Sequence, residues 1–410
     1  MHVTGGPAAD VCVVGGGPAG LTLALLLARS GIRVTIVERA RSFDRQYRGE
    51  ILQPGALSLL DGLGVLAGAR ERGAREHSVF RVRDRRRILM DIDYRRLPAP
   101  YNYLLSIPQR NVLEELLRQC RRHENFDYVE GAKVTELLRD GGVVRGVHTD
   151  HAARPVVEAR CVVGADGRFS KVRRLAGIGT TRLDVFDYDV LWLRLPDDGD
   201  PLCEVQVYRG DGAPVLLYSS VPDRIQLGWT LPHRSYRALA GQGLAAVKDR
   251  MATDLPERYA ARFHDQVRRL SDMSLLDVFS ATADSWAADG LVLIGDSAHS
   301  HSPIGAQGIN LAVQDAVLVH PILVQAVRDG DVSRATLGRF ETGRRPDIAK
   351  VLRMQRLQSK GMLSRNRIAS VVRPRAMRLL SHTPVYDRVL DRIAFGNRSI
   401  QLSEVAGDRT

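Results

Sequence analysis

The first forty residues contain two short apolar runs separated by one longer apolar segment. The runs Asp10–Val14 and Val34–Val37 are unbroken, as strands buried on both faces are. Between them, Leu21–Ser30 carries leucine and alanine on every side, which predicts a buried helix. Gly31 follows at the position where that helix has to end. The pattern therefore predicts a strand–helix–strand unit with parallel strands.

Glycines occupy the turn between the first strand and this helix, in the order Gly15-x-Gly17-x-x-Gly20. Gly15 permits the tight turn, Gly17 lets a pyrophosphate approach the backbone, and Gly20 lets helix and strand pack closely. Pro18 suits the first turn of a helix, whose free N–H groups attract phosphate. Glu38, at the end of the second strand, can accept hydrogen bonds from ribose hydroxyls. The spacing favours an adenine dinucleotide, NAD or FAD, over a glycine-rich turn without a ligand.

A second turn, at which a strand again leads to an acidic residue, lies in the stretch "CVVGADGRFSKVR", which begins at Cys161. Its apolar strand runs into Asp166-Gly167, and Ser170 is placed to cap a following helix. An Asp-Gly turn without a ligand is the alternative interpretation.

A third such turn lies in "LVLIGDSAHSHSPIGAQGIN", which begins at Leu291. A buried strand ends at Gly295-Asp296, and an apolar helix is predicted from about Ile309 to Val327. The glycines between them imply a backbone that approaches a ligand closely. His299 and His301 are interpreted as packing or hydrogen-bonding residues, because the further ligands that a metal ion needs are not evident in the sequence.

Residues 178–275 change to alternating apolar and polar runs that predict antiparallel strands. The runs are Val190–Arg194, Glu204–Tyr208, Val215–Tyr218 and Arg224–Leu231. Trp192, Tyr218 and Trp229 either line an aromatic pocket or belong to the core. Helices are predicted near Leu239–Thr253 and Pro256–Leu270, and the arginine-rich hairpin Val79–Tyr94 is predicted to have a solvated face.

The formal net charge of the 410 residues is +12, which raises the question of nucleic acid or anionic membrane as partners. Only five of the 59 cations are lysine, and the arginines are scattered without interleaved aromatic residues. This distribution does not favour nucleic-acid binding. The four cysteines are widely spaced, and neither a signal peptide nor a membrane-spanning run is evident. We therefore expect a cytoplasmic protein with reduced thiols.

The three motifs together resemble those of the single-component (class A) FAD-dependent aromatic hydroxylases, the group that includes para-hydroxybenzoate hydroxylase. They stand in that family's order at similar separations, and the resemblance covers roughly residues 8–350. It implies an α/β fold: a Rossmann-like FAD-binding domain with an inserted antiparallel β-sheet substrate domain and a helical C-terminal region. The implied boundaries are 1–177 with 276–345 for the FAD domain, 178–275 for the substrate domain, to which strands near 78–108 can belong, and 346–410 for the C-terminal region.

The resemblance also assigns residues to the site. The FAD-binding set is Gly15, Gly17, Pro18, Ala19, Gly20, Glu38, Arg39, Arg48, Gln109, Arg110, Asp166, Asp296, Gly305, Gly308, Ile309 and Asn310. Pro303 is implied to lie over the flavin beside the substrate ring, and Asp166 is implicated in binding both FAD and NAD(P)H. Ser297 is a departure, because the family more often has alanine there.

The implied activity is hydroxylation of an aromatic or polyketide-like small molecule through a flavin C4a-hydroperoxide. FAD, NAD(P)H with NADPH as the preferred guess, and dioxygen are the implied partners, in a monomer or homodimer without a bound metal. A flavin-dependent halogenase is one alternative, although the relay lysine that those enzymes carry early in the chain has no equivalent before Lys133.

Two further alternatives remain open at this point. An enzyme that acts on a prenyl lipid or quinone at a membrane surface would use basic residues of the C-terminal third, which more simply form a solvated helix face. These residues are Arg344, Arg345, Lys350, Arg353, Arg356, Lys360, Arg365 and Arg367. A flavin-binding sensor without enzymatic activity is the other.

Overall fold

The structure is a computed structural model of the chain. It describes residues 9–44, 50–84, 87–183, 188–197, 199–210, 212–363 and 383–402. All structural statements below refer to these residues.

The described strands lie between Ala9 and Ser300. The strands are β1 (Ala9–Val14), β2 (Val34–Glu38), β3 (Ile51–Leu52), β4 (Arg75–His77), β5 (Val79–Asp84), β6 (Arg87–Asp93), β7 (Leu104–Ser106), β8 (Phe126–Glu130), β9 (Val134–Asp140), β10 (Val143–Thr149), β11 (Val156–Gly164), β12 (Thr180–Leu183), β13 (Tyr188–Pro196), β14 (Glu204–Arg209), β15 (Val215–Ser220), β16 (Arg224–Pro232), β17 (Ser274–Leu276), β18 (Ser280–Ala283), β19 (Ala287–Ala288), β20 (Leu291–Leu293) and β21 (His299–Ser300).

The helices become longer toward the C-terminus. They are α1 (Pro18–Arg29), α2 (Pro54–Gly62), α3 (Leu66–Glu71), α4 (Gln109–Cys120), α5 (Lys171–Leu175), α6 (Ser235–Gly241), α7 (Leu244–Ala252), α8 (Glu257–Gln266), α9 (Gly308–Asp329), α10 (Arg334–Leu337), α11 (Arg339–Leu363) and α12 (Pro384–Phe395). Single 3₁₀ turns occupy Tyr94–Arg96, Leu270–Asp272 and Gly295–Ser297.

The predicted strand–helix–strand unit forms the centre of a mostly parallel sheet. Its strand order is β19-β20-β11-β1-β2-β8, with β10 and β9 added antiparallel beside β11. Neighbours of β1 on both sides run parallel to it. All residues of β1 and β2 are buried. The prediction of two buried parallel strands with α1 between them is confirmed. We call this part of the molecule the cofactor half.

Helix α9 covers this sheet together with α1. It is buried along most of its length, including Leu311, Val313 and Val319, and it packs against α1 and α2. Its 22 residues and mean hydropathy of 1.3 are enough for a membrane span, but 72% of the apolar window is buried inside the protein. The burial accounts for its apolar character as that of a core helix.

A second sheet of seven strands lies beside the cofactor half, in the order β17-β13-β16-β15-β14-β5-β6. The four strands predicted between residues 190 and 231 are confirmed as β13 to β16, and consecutive neighbours are antiparallel. The hairpin β5–β6 extends the sheet through a parallel pair with β14. The strand β12, by contrast, pairs with β18, which pairs in turn with β21, in a separate sheet. We call the seven-stranded sheet the substrate sheet.

Helices α6, α7 and α8 cover the outer face of the substrate sheet, where Val247, Met251 and Phe263 pack against its apolar residues. The single helix predicted for Leu239–Thr253 is wrong, because the chain breaks there into α6 and α7. Gly243 between them has φ of 97°, a left-handed conformation that ends one helix before the next begins.

The C-terminal helices close the molecule around the cofactor half. The implied boundary at residue 346 falls inside α11, which begins at Arg339. Helix α12 packs against the inner face of the substrate sheet, because Tyr386, Leu390 and Ala394 share one apolar cluster with Trp192. The described part of the C-terminal region therefore packs against both the cofactor half and the substrate sheet.

Candidate functional site

Three turns at the carboxyl ends of β1, β11 and β20 meet in space. We call them the first corner (residues 14–20), the second corner (164–171) and the third corner (294–302). A Cβ built on Gly15 would lie 2.4 Å from the backbone oxygen of Ala165, so the first two corners are in direct contact. A Cβ on Gly295 would lie 3.2 Å from Ala19 and 3.8 Å from Ala312. The corners therefore converge between the starts of α1 and α9.

The first corner leaves open space where a nucleotide would lie. A Cβ on Gly20 would be 2.0 Å from the carbonyl oxygen of Gly15, so this glycine is required by packing. A Cβ on Gly17 would meet nothing within 4 Å. Gly17 is also the N-cap of α1 and provides no side-chain cap, so the N–H groups of the first turn, which start at Ala19 because Pro18 has none, are uncapped. A pyrophosphate fits these free donors.

Glu38 lies at the end of β2, beside the first corner. Its Oε2 accepts a hydrogen bond of 2.6 Å from the Gly16 N–H, and its Oε1 accepts one of 2.9 Å from the Ala40 N–H. The side chain is buried, with 4% exposure. Its carboxylate is thereby fixed against the glycine turn, in the position from which the motif binds a ribose.

The second corner is organised by Asp166. Its carboxylate accepts hydrogen bonds from the Ser170 hydroxyl at 2.5 Å and from the Lys171 N–H at 2.6 Å, so it holds the start of α5. Ser170 caps α5 as predicted, accepting from the Arg173 N–H. The Ser297 hydroxyl accepts from the Gly167 N–H at 3.0 Å and donates to Asp166 at 3.2 Å. Ser297 thus joins the second corner to the third.

The third corner carries Asp296, which is partly exposed at the surface of the site. Its Oδ2 accepts a hydrogen bond of 3.1 Å from Nε of Arg168 in the second corner. The same guanidinium donates to the backbone oxygen of His301 at 2.7 Å. Arg168 therefore closes a further bridge between the two corners.

A buried chain of charged and polar side chains lies directly beneath the third corner. Arg344 donates to Asp315 at 2.8 Å, Asp315 pairs with His299 at 2.7 Å, and His299 pairs with His301 at 2.9 Å. All four are at most 2% exposed. Burial raises the pKa of Asp315, but attraction by His299 and Arg344, together with the hydrogen bond from the Gly295 N–H, outweighs it and lowers the pKa to about 2. Both histidines have structural partners here, as the sequence predicted.

The loop from Pro303 to Asn310 is tied to three other elements. Gln53 beside α2 donates to the backbone oxygen of Gly305 at 2.8 Å, and Gln355 of α11 donates to that of Ile304 at 2.9 Å. Gln307 donates to the backbone oxygen of Ile393 in α12 at 2.8 Å. The C-terminal helices, which the resemblance did not assign, therefore position this loop.

The loop ends at a second uncapped helix start. Gln307, the N-cap of α9, forms no side-chain cap, and a Cβ on Gly308 would meet nothing within 4 Å. Ile309 is half-buried in the first turn. Asn310 is buried, and its Oδ1 lacks a hydrogen-bond partner among the described residues. A flavin, whose ring edge carries both acceptor oxygens and an N–H donor, fits these groups.

The other described residues of the predicted FAD set are Arg39, Gln109 and Arg110. Arg39 follows β2 and is exposed. Gln109 is the half-buried first residue of α4. The exposed side chain of Arg110 pairs with Asp44 and with Glu114 of its own helix. Arg48 lies outside the described residues.

The three aromatic candidates are divided between the two faces of the substrate sheet. Trp192 and Tyr218 lie in the inner apolar cluster, which also contains Ile304 of the cofactor loop. Trp229 lies in the outer cluster, and its Nε1 donates to Asp254 at 2.8 Å. Its assignment to the substrate pocket is therefore corrected. Neighbouring residues of a strand point to opposite faces, and Trp229 is opposite Leu191 rather than Trp192.

A buried ion pair between the two halves was not predicted from the sequence. Arg194 of the substrate sheet donates to Glu50 at 2.8 Å and to Gln226 at 3.0 Å. Glu50 is 3% exposed and Gln226 is wholly buried. The available signal was the presence of Arg194 and Gln226 inside otherwise apolar strands. Polar side chains at such positions need a partner, or they serve a ligand.

One group of potential metal ligands occurs among the described residues. Asp189, His233 and Asp277 bring one ligand atom each within 4.8 Å of one another. Asp189 already accepts hydrogen bonds from His233 at 2.7 Å and from two backbone N–H groups. These bonds give the carboxylate a structural role, and the expectation that no metal is bound stays a prediction.

Comparison with known proteins gives this arrangement a context. A family described as "FAD binding domain" matches residues 8–355. A 6-methylpretetramide 4-monooxygenase of Streptomyces rimosus is 55% identical over 394 residues, which cover 96% of this chain and 94% of that protein. A protoasukamycin 4-monooxygenase of Streptomyces nodosus subsp. asukaensis is 28% identical over 368 residues, covering 86% of this chain and 88% of that protein.

Solved structures have the same fold. The crystal structure of a p-nitrophenol 4-monooxygenase of Pseudomonas putida matches with a TM-score of 0.79 and 20% identity, covering 95% of this chain and 99% of that one. At this level of identity the likeness concerns the fold alone. It covers both the cofactor half and the substrate sheet.

Proposed function

The chain belongs to the FAD-binding-domain family of class A flavin monooxygenases, and from this membership we propose that it hydroxylates a fused polycyclic aromatic polyketide with NADPH as reductant. It is an FAD-dependent monooxygenase that acts on an aromatic small molecule. What we add is the substrate class and the source of electrons. The observation that carries the proposal is 55% identity to a 6-methylpretetramide 4-monooxygenase over nearly the whole of both chains.

Our proposed substrate is 6-methylpretetramide or a molecule of the same polycyclic type. The match spans 96% of this chain, so it includes the substrate sheet as well as the cofactor half. The inner face of the sheet supports the idea, since the aromatic rings of Trp192 and Tyr218 belong to its apolar cluster. A planar, extended ring system suits such a surface.

The residues of the three corners would hold FAD. The open space at Gly17 and the uncapped start of α1 suit the pyrophosphate, and Glu38 suits the ribose. Asp296, Gly308 and Asn310 would bind toward the flavin end. When bound, FAD supplies the chemistry that activates dioxygen and delivers one oxygen atom to the substrate.

The chain's own contribution is to fix the loop beneath the substrate and to keep water out. Gln53 and Gln307 donate to the backbone oxygen of Gly305, and Gln355 donates to that of Ile304. These bonds hold the loop that carries Pro303. Apolar residues of the substrate sheet and α12 close the space above it. The uncapped start of α9 would stabilise negative charge that develops on the cofactor's ring.

The proposed docking surface for NADPH lies beside the second corner. Phe169 is 65% exposed and stacks at a tilt on Phe279, with ring centroids 5.9 Å apart. The guanidinium carbons of Arg182 and Arg168 lie 4.5 and 5.6 Å from the centre of the Phe279 ring. An exposed aromatic ring with adjacent arginines suits a planar base that carries phosphates.

Steady-state reduction kinetics test this docking surface. The variant Phe169→Ala should raise KM for NADPH about tenfold without changing the bound FAD, because it removes one stacking surface. Arg95→Gln serves as a control, because Arg95 is an exposed arginine that pairs only locally with Asp93. An unchanged KM in Phe169→Ala would place the nicotinamide nucleotide elsewhere.

The basic residues of the membrane-surface alternative differ in exposure, because Lys350, Arg353 and Arg356 are exposed but Arg344 is not. Arg344 is 1% exposed and bound to Asp315, and Arg345 pairs with Glu341 of its own helix. Arg344 is therefore not available to an anionic lipid surface, whereas Arg345 is partly exposed. Arg365 and Arg367 lie outside the described residues. We propose a cytoplasmic enzyme, in which the buried Cys12, Cys120 and Cys161 stay reduced.

A direct activity measurement tests the whole proposal. The purified protein, loaded with FAD, should oxidise NADPH faster when 6-methylpretetramide is added. Its product should contain one additional oxygen atom derived from labelled dioxygen. If the oxygen comes from water, or if NADPH is consumed without any oxygenated product, the proposed reaction is wrong.

A further inference from the structure

The inner face of the substrate sheet carries a row of polar side chains in an otherwise apolar surface. Arg194, Gln226 and Tyr218 stand opposite one another on β13, β16 and β15. Opposed residues of adjacent strands project from the same face, so the three form one row. Trp192, two residues before Arg194, projects from that face as well.

Glu50 of the cofactor half anchors this row. It accepts a hydrogen bond from Arg194 at 2.8 Å, and its own backbone N–H donates to the Tyr218 hydroxyl at 3.1 Å. Burial raises the pKa of Glu50, and the charge of Arg194 opposes that rise. The ion pair thus fixes the position of Arg194 between the two halves of the molecule.

The bond from Arg194 determines which way the Gln226 amide points. A guanidinium can only donate, so the atom that Arg194 Nε contacts at 3.0 Å must be the amide oxygen. The amide nitrogen of Gln226 then points away from Arg194 with two N–H donors. It finds no hydrogen-bond partner among the described residues, although the residue is wholly buried.

The indole of Trp192 presents a second donor of the same kind. Its ring lies over Gly228, where a Cβ would be only 2.9 Å from the ring, so the ring's position is fixed by packing. Trp192 is 3% exposed, and its Nε1 also lacks a partner within the described ranges. Trp192 and Gln226 are diagonal neighbours on adjacent strands, a spacing that long side chains can bridge.

Two buried donors on one face thus lack a hydrogen-bond partner among the described residues. Buried polar groups in folded proteins are nearly always hydrogen-bonded, and leaving a donor without a partner is costly. The surrounding apolar cluster contains Val190, Leu276 and Ile304, the last of which belongs to the cofactor loop. A ligand held between this face and the loop would meet apolar walls and these two donors.

We propose that the N–H groups of Gln226 and Trp192 form a subsite that binds keto or phenolic oxygens of the substrate. The inference rests on the proposed function and adds the feature that the enzyme recognises: acceptor oxygens on the edge of a flat ring system. A site built from buried donors rejects an analogue that lacks the oxygens, because the donors are then left unpaired. The subsite therefore selects among polycycles by their oxygen pattern.

Binding to the FAD-loaded enzyme in the absence of NADPH tests this subsite. The variants Trp192→Phe and Gln226→Met each remove the donors and keep most of the side-chain volume. Kd for 6-methylpretetramide, followed by quenching of flavin fluorescence, should rise about tenfold in each. A second pair of probes, 1,8-dihydroxynaphthalene and naphthalene, isolates the oxygens. The natural enzyme should prefer the diol, and the variants should lose that preference.

Trp229→Phe is a matched control on the paired strand. It makes the same substitution, but Trp229 lies on the outer face, where its Nε1 donates to Asp254. We expect a lower melting temperature with unchanged Kd values. The FAD content of every variant is measured in parallel, so that a loss of folding is distinguished from a loss of the subsite.

The outcomes separate the subsite from the proposed function. If the natural enzyme prefers the diol but neither binds nor hydroxylates 6-methylpretetramide, the assigned substrate is wrong and the subsite stands. If the natural enzyme shows no preference for the diol, or if Trp192→Phe and Gln226→Met keep it, the subsite is refuted. Loss of FAD from these variants, with substrate affinity intact, would assign the donors to the cofactor and refute it as well.

Discussion

The cofactor half and the substrate sheet offer a ligand different parts of the chain. At the three corners, the groups available to a ligand are mainly backbone N–H groups at the starts of α1 and α9, exposed because Gly17 and Gly308 carry no side chain. On the inner face of the substrate sheet, they are side chains, above all Gln226 and Trp192. The first arrangement depends on where glycine stands, and the second depends on which face a residue occupies.

This difference determines what mutation can do in each region. Gly15 and Gly20 of the first corner are fixed by contacts with neighbouring backbone, so their replacement affects folding. A donor on the inner face contacts its neighbours through side chains, so its replacement can alter affinity while the fold remains. Substitutions of these glycines should therefore impair folding, whereas substitutions of the inner-face donors should change affinity and leave the fold intact.

The strongest test of the corner is Gly15→Ala. Gly15 has φ of 111°, and a Cβ would lie 2.4 Å from the backbone oxygen of Ala165. Backbone strain and the clash together should cost about 5 kcal/mol, enough to prevent accumulation of folded protein. Soluble yield and urea unfolding measure this effect.

Gly31→Ala provides the control for Gly15→Ala. Gly31 also has a positive φ, 75°, but a Cβ there would meet nothing within 4 Å. Only the backbone strain applies, so we expect a loss of about 1 kcal/mol. Equal effects at the two positions would show that the contact between the first and second corners is not what requires Gly15.

The buried chain beneath the third corner is tested by Arg344→Met. Removing the guanidinium leaves the buried carboxylate of Asp315 without its cationic partner, which should destabilise the protein by about 4 kcal/mol. The effect is read from the urea midpoint. Arg95→Met removes an exposed arginine instead, and we expect its midpoint to be unchanged. A similar midpoint for both variants would mean that the buried chain contributes little to the cofactor half.

The sequence predicted the cofactor half better than the facing of the substrate sheet. The cofactor half was predictable because its signals are local. The spacing of Gly15, Gly17 and Gly20 and the unbroken apolar runs of β1 and β2 specify a turn and two buried strands without reference to the rest of the chain. Helix α9 was predicted to within two residues at each end for the same reason.

The facing of the substrate sheet was not predictable, because both of its faces are covered. Helices α6 to α8 bury the outer face and the cofactor half buries the inner one, so β13 reads as five consecutive buried residues. Neither face of the sheet is then polar, so the order of apolar and polar residues along a strand does not show which residues share a face. Trp192 and Trp229 look alike in the sequence for this reason. Arg344 was placed on a solvated helix face because its partner, Asp315, lies in another helix.

Acid stability compares two buried histidines, His77 of β4, whose ring contacts the backbone oxygen of Ser219 in the substrate sheet, and His320 of the cofactor half. Burial lowers the pKa of His77, behind the substrate sheet, and of His320, on α9, to about 4. Both are neutral in the folded protein, while the unfolded chain takes up protons below about pH 6.5. Stability therefore rises with pH between about 4 and 6.5, and each histidine accounts for up to about 3 kcal/mol of the change.

Urea unfolding from pH 4 to pH 7 measures the contribution of each region. His77→Gln and His320→Gln should each reduce the slope of stability against pH, and by similar amounts. A reduced slope in only one variant would show that only that region is kept dry enough to exclude the proton.

The smallest effect is expected at Ser297, which joins the second corner to the third. Ser297→Ala removes a hydroxyl that accepts from the Gly167 N–H and donates to Asp166. Asp166 keeps its bonds to Ser170 and to the first N–H groups of α5, so the second corner should retain its shape. We expect a loss of about 1 kcal/mol in urea unfolding and a modest increase in the FAD dissociation constant. If FAD affinity falls by more than tenfold, the side chain at position 297 acts on the cofactor itself, and the corners are then not a purely backbone site.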